Sequence, residues 1–207
     1  MAKFPEPPSS ADLRKIAPIV RRVPRGTVLW RVYFRGGAHP SAWSAFRVFG
    51  PTGSRFDHHE PPPRVQARGI LYAARSPLTC LAEVFQETRT IDTRLMQPWL
   101  AGFALTRSVT LLDLRGAWPT RAGASMAINS GSRSRARRWS RAIYDAHPAT
   151  QGLWYASSMY GNQPAVALYE RARGAISSGP LFNRALSDPA VSHVVQAAAN
   201  AVGYYVV

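Results

Sequence analysis

The chain has 207 residues, 46% of them hydrophobic, which is enough to bury one sizeable core without covalent staples. Its single cysteine, Cys80, excludes an intramolecular disulfide, and no stretch approaches the roughly 20 apolar residues that span a bilayer. The formal charge of +15, from 26 basic residues against 11 acidic ones, favours an anionic partner: a nucleic acid, a phosphate-bearing small molecule or an acidic protein. Arginine and alanine enrichment also marks GC-rich coding, so charge does not choose among them. The N-terminal residues lack the apolar run of a signal peptide, and a cytoplasmic protein is expected.

Residues 1–25 are rich in proline and basic side chains and read as an irregular arm, with a short helix around 11–16. Residues 26–207 read as one domain. Its first strand is 27–34, where β-branched and aromatic residues dominate. Residues 35–69 hold Gly, Pro and His without a sustained period and read as a long loop. A short apolar strand follows at 69–74. Ser76 and Pro77 then start a helix, serine as cap and proline at the first helical position, with Leu78, Leu81, Ala82 and Phe85 at helical spacing.

Further strands are expected at 102–105, 108–114, 152–157 and 165–170. Helices are expected at 121–128 and 134–146, split by a break at 129–132, and again at 191–201, before a terminal strand at 203–207. Strands and helices mix without regular alternation. That pattern predicts an α+β domain with a mixed or antiparallel sheet.

Several residues are candidates for chemistry. Glu83 abuts the apolar face of its helix; a carboxylate there can stabilise a cation forming on a sugar, although spacing alone equally describes a solvated helix glutamate. Arg31 lies inside an apolar strand, so it is either in a salt bridge or presented to an anionic ligand. Arg55 follows a flexible turn and can fork onto a phosphate, or simply sit on a loop. Tyr72 is a stacking surface or plain core. Ser157 and Ser158 end a strand before a glycine turn, where a hydroxyl binds phosphate or shapes the turn. His58 and His59, beside Asp57 and Glu60, are metal-ligand types, but adjacent residues rarely converge on one ion, and no metal is expected. Cys80 reads as a small buried hydrophobe.

The order of these residues carries more than any one of them: Trp30, Arg31 and Tyr33; Ser54, Arg55, Phe56 and Asp57; Ile70, Leu71 and Tyr72; Leu81, Ala82 and Glu83; then Trp154, Tyr155, Ala156 and Ser157. This succession, from residue 27 to about 170, resembles the RES domain family. The resemblance implies a fold similar to the ADP-ribosyltransferase core and a toxin of a bacterial toxin–antitoxin pair. It implies NAD as the substrate, cleaved at the nicotinamide–ribose bond with phosphate, water or a protein side chain as the acceptor, and no bound cofactor.

By the same resemblance, Arg31 and Arg55 hold phosphates, Tyr72 packs on the nicotinamide side, Glu83 stabilises the cation-like state and Ser157 binds a phosphate oxygen. Two departures stand out: Phe56 occupies a position that is often tryptophan, and Ser158 one that is often basic. The implied partner is a cognate antitoxin with an acidic contact surface; a homo-oligomer is left open. Three other readings stay beside this one: an ADP-ribosyltransferase acting on a protein, a basic nucleic-acid-binding module in which Trp30, Trp43, Trp139 and Trp154 stack bases, and a partner-binding protein with a degenerate site.

Overall fold

The computed structural model describes residues 4–207. In chain order these form α1 (Ser10–Arg14), β1 (Val20–Val23), β2 (Val28–Phe34), β3 (Arg47–Gly50), β4 (Arg64–Ala74), α2 (Pro77–Val84), β5 (Thr90–Ile91), β6 (Pro98–Ala104) and β7 (Val109–Asp113). Then follow α3 (Trp118–Arg121), α4 (Arg133–Ala146), β8 (Gly152–Ala156), β9 (Pro164–Tyr169), β10 (Phe182–Ala185), α5 (Ser192–Val202) and β11 (Tyr205–Val206). Nine strands make one sheet in the order β1-β7-β8-β9-β4-β2-β6-β10, with β3 paired to β4, and β5 and β11 form a separate parallel pair. Within the large sheet β7 and β8 run parallel and the other neighbours antiparallel.

The alternation of side chains along the strands explains why this sheet has two cores. Val32, Ile70, Leu112, Leu153, Tyr155, Ala167 and Tyr169 face one way and bury Cys80 and Leu81 of α2, Trp139 and Ile143 of α4, and Val195 and Ala199 of α5. Residues at the alternate strand positions, among them Leu29, Leu71, Phe103, Leu111, Trp154 and Leu168, face the other way into a smaller core closed by Phe46, Ala172 and Ala175. The long helices thus share one face, as expected of the α+β class.

One discontinuity shapes the middle of the sheet. β2 pairs with β6 over its whole length, from Val28↔Ala104 to Phe34↔Pro98, but meets β4 at the single pair Trp30↔Ala74. Beyond that pair the two strands part. The Val32 amide donates to Cys80 Sγ instead, at 3.0 Å, and α2 packs against both strands of the fork.

Several expected elements differ in extent. The stretch 35–69 contains β3 and the first half of β4, which apart from Gly50 and Gly69 are exposed or half-buried, and a register shift interrupts β3. Neither part shows the apolar run of a buried strand. The expected helix at 121–128 is broken, because Gly123 takes φ +87°; α3 ends before it and a 3-10 turn at Met126–Ile128 follows. The arm carries α1, capped by Ser9 accepting from the Asp12 amide, and β1, which adds an edge to the sheet through β7. β5 and β10 had no signal in the sequence, being short and only partly buried. No helix among the described residues is long and apolar enough to cross a membrane.

Gly152 begins β8 with φ +151°, and a Cβ there would lie 2.3 Å from the Ala167 carbonyl oxygen and 2.9 Å from Leu168 Cα. Both obstacles are backbone of the paired strand, so they cannot rotate away. Gly152→Ala is therefore expected to destabilise the fold by about 3 kcal/mol or more, read as a lowered denaturation midpoint at unchanged slope.

Candidate active site

α2 begins at Ser76, whose Oγ accepts from the Thr79 amide, with Pro77 in the first turn. Thr79, Cys80, Leu81 and Ala82 are buried, and this fixes the rotation of the helix about its axis. Glu83 is thereby half-buried at the cleft between α2 and the sheet. The cleft encloses about 50 Å³ and is lined by Val32, Tyr72, Cys80, Glu83, Val84 and Tyr155, among others.

Glu83 is held from the far side by Ser157. The Ser157 hydroxyl donates to Glu83 Oε1 at 2.6 Å and itself accepts from the amides of Met159 (3.2 Å) and Tyr160 (3.1 Å). Two donated amides leave the serine proton one direction to go, so the hydroxyl works as a fixed donor to the carboxylate. Ser157 is buried while Ser158 is exposed, and of the two serines only the first reaches Glu83. Oε2 of Glu83 makes no hydrogen bond among the described residues.

Tyr72 enters the cleft from β4. Its hydroxyl is buried without a hydrogen-bond partner among the described residues, and burial pushes its pKa far up. Tyr155, from β8, is likewise held neutral by burial, with the Glu83 charge adding to the effect. Phe56 packs on Tyr155, ring centroids 4.8 Å apart, so this phenylalanine anchors the loop that carries Arg55.

Arg55 Nη1 donates to the Gly131 carbonyl at 2.5 Å, in the break between the 3-10 turn and α4. Burial lowers its pKa, helped by Arg133, while the Glu83 carboxylate opposes the shift. Arg55, Tyr72, Glu83 and Ser157 are thus brought to one region.

Arg31 is placed differently. It forms no salt bridge among the described residues; Nη1 donates to the carbonyls of Trp43 (3.0 Å) and Ala45 (2.7 Å), on the loop that closes the smaller core. It does not line the cleft, although the next residue, Val32, does. Burial draws its pKa down to about 10. Nε and Nη2 make no hydrogen bond among the described residues. Of the two expected uses of a buried arginine, the ion pair is replaced by backbone carbonyls, which satisfy a guanidinium without a counter-charge.

The residue that sequence reasoning missed is Asp57. It is fully buried, and its carboxylate accepts from the Thr52 amide (2.6 Å), Thr52 Oγ1 (2.9 Å) and the His59 amide (3.2 Å). It also meets His59 Nδ1 at 2.5 Å and Arg47 Nη2 at 2.9 Å. His59 Nε2 reaches the Arg68 carbonyl at 2.9 Å, while His58 stacks against Tyr144, ring centroids 4.4 Å apart. The histidine pair therefore braces the Arg55 loop. The signal available was Asp57 itself, an acid beside two histidines in a stretch that otherwise read as open loop.

The RES domain model matches residues 28–186 of the chain. The chain belongs to the RES domain family. All five candidate residues fall inside the matched span. The RES domain is also similar to a chain of the M. tuberculosis MbcT–MbcA toxin–antitoxin complex, with TM-score 0.58 at 16% identity, over 91% of this chain and 97% of that one. At that identity the likeness is one of fold. A search of curated proteins found no match.

Burial alone would raise the Asp57 pKa, but the His59 hydrogen bond, the Arg47 charge and the two amides together pull it well below its ordinary 3.8. A depressed folded-state pKa contributes stability that is complete above the unfolded value and drains away as pH falls through the folded one. Asp57→Asn is expected to lower stability at neutral pH by about 3–5 kcal/mol, because it strands the Arg47 charge. It should also flatten the loss of stability below pH 3.8. Urea titrations of both proteins across that range check both effects.

Proposed function

We propose that this RES domain is the toxin of a toxin–antitoxin pair and consumes NAD by breaking the nicotinamide–ribose bond. The observation that carries the reading is the Glu83–Ser157 contact of 2.6 Å. It fixes one carboxylate at the mouth of an aromatic-walled cleft, with a free oxygen and an arginine nearby. A fixed anion beside an aromatic wall suits a reaction that creates positive charge on a sugar as an aromatic leaving group departs.

In this reading the nicotinamide end enters beside Tyr72, and the C–N electron pair leaves with nicotinamide. Glu83 faces the ribose carbon as its charge develops. An oxygen of water or phosphate then bonds to that carbon, giving ADP-ribose or its phosphorylated form and releasing a proton when water attacks. Arg55 is the phosphate clamp, and Arg31 contributes through the nitrogens that the carbonyls leave unused. A cleft of about 50 Å³ does not hold a dinucleotide, so most of the ligand lies across its mouth, and side chains there, such as Val84, shift to admit it.

Against a base-stacking nucleic-acid module stand two facts. Arg135 and Arg138, on the basic face of α4, are engaged by Glu6. Trp139 and Trp154 are buried and offer no open platform. Transfer to a protein acceptor differs only in the attacking group, and product masses distinguish it.

Glu83→Gln keeps the shape and removes the charge. With NAD as substrate, nicotinamide release followed by chromatography should fall by roughly 10²–10³ in a variant whose thermal midpoint is near that of the parent. Near-normal release from the folded variant would overturn the mechanism.

The fold likeness to a toxin–antitoxin complex extends the reading to a partner: an antitoxin that presents an acidic segment to the arginine-bearing mouth of the cleft. Expressed alone, the RES domain should arrest growth, and the Glu83→Gln protein should not. Arrest that persists in that variant would point to the basic surface as the harmful feature.

A further inference from the structure

A second groove lies away from Glu83. It encloses about 600 Å³ and is lined by Arg21 and Arg22 of β1, Arg75 at the end of β4, Arg115 after β7, Trp154 of β8 and Gln163. It holds one carboxylate, Asp113, whose Oδ1 accepts the Arg115 amide at 2.8 Å. Trp154 and Tyr155 are consecutive on β8 and belong to opposite faces of the sheet, so this strand serves the groove on one side and the Glu83 cleft on the other.

Four guanidiniums against one carboxylate leave a net charge of +3. None of the four forms an ion pair among the described residues, so nothing there but Asp113 offsets their charge. Two are held in place. Arg75 Nη1 donates to the Val28 carbonyl at 3.1 Å, and the Arg21 guanidinium lies 5.8 Å from the Trp154 ring centroid. Like charges gathered at one concavity repel each other, and a bound anion relieves that repulsion.

We propose that this groove is a second anion site for a ligand carrying two or more linked phosphates, either a nucleoside triphosphate or free inorganic polyphosphate. The volume falls within the roughly 300–1,000 Å³ of small-molecule sites. Guanidinium forks match phosphate oxygens two at a time, and linked phosphates put several charges within a span this short. Trp154 is only 8% exposed, so it forms floor rather than a stacking platform for a base. Recognition therefore rests on the phosphates, with Gln163 free to meet a hydroxyl or a base edge. The inference does not depend on NAD being the substrate.

The test is calorimetric titration of the purified chain with adenosine triphosphate and, separately, inorganic triphosphate. Both are expected to bind, and affinity should fall roughly tenfold or more in Arg21→Ala/Arg115→Ala. In Arg55→Ala it should stay within about twofold, since that side chain belongs to the other cleft. Equal affinities for the two probes identify free polyphosphate as sufficient; tighter adenosine triphosphate assigns the site to nucleotides. Arg21 and Arg115 are exposed, so the double variant keeps its fold, which its thermal midpoint verifies. Undiminished binding in the double variant would overturn the proposal. So would a poly-glutamate peptide or a twelve-nucleotide single strand that binds this groove more than tenfold tighter than either probe.

Discussion

The parting of β2 and β4 after one shared pair is the constraint on which the rest of this molecule depends. Continuing the register of Trp30↔Ala74 by two residues would set Val32 beside Tyr72 and close the sheet. Instead both residues line a cleft, and α2 stands in the fork with Glu83 at its rim. The opening leaves a backbone amide without a strand partner, and such a group is costly to bury unsatisfied. Cys80 meets the Val32 amide, and two carbonyls of the loop at Trp43 and Ala45 engage Arg31. The cleft is held open by polar groups satisfied one at a time.

The loop that carries Arg55 is equally determined, by a different means. A buried charge in a loop usually signals instability, yet Asp57 is surrounded by donors on every side and meets both a guanidinium and an imidazole. Once so paired it behaves as a clamp: removing it leaves partners stranded, while keeping it fixes the loop between β3 and β4. Phe56 adds an apolar anchor on Tyr155, one residue from each of Arg55 and Asp57. Three consecutive residues thus supply a cation, a hydrophobic peg and a buried counter-charge.

Much of this was legible in the sequence where periodicity was strong. The strands beginning near residues 27, 69, 152 and 165, the capped helix at Ser76 and the helix after residue 132 all carry apolar patterns that only one secondary structure accommodates. That Glu83 and Ser157 belong to one site was implied by the order of motifs, but their direct hydrogen bond was not, since 74 positions separate them. β1, β3 and β10 were not legible because they are short and mostly exposed or half-buried, so their sequences carry no alternating burial pattern. The salt bridge read as one of two uses of Arg31 is replaced by carbonyls, which sequence hides while it shows side chains. The groove around Trp154 joins residues from five separate stretches, and no local pattern marks such a convergence.

Cys80 gives the fork a further property. Its thiol is the only one in the chain, burial drives its pKa up to about 12, and its sulfur is occupied by the Val32 amide. A thiol reacts as its thiolate and only where reagent can reach it. The sulfur lines the narrow cleft beside Glu83, so alkylation of the native protein must wait for that cleft to widen. The rate of labelling then measures how often the cleft opens, without an introduced probe.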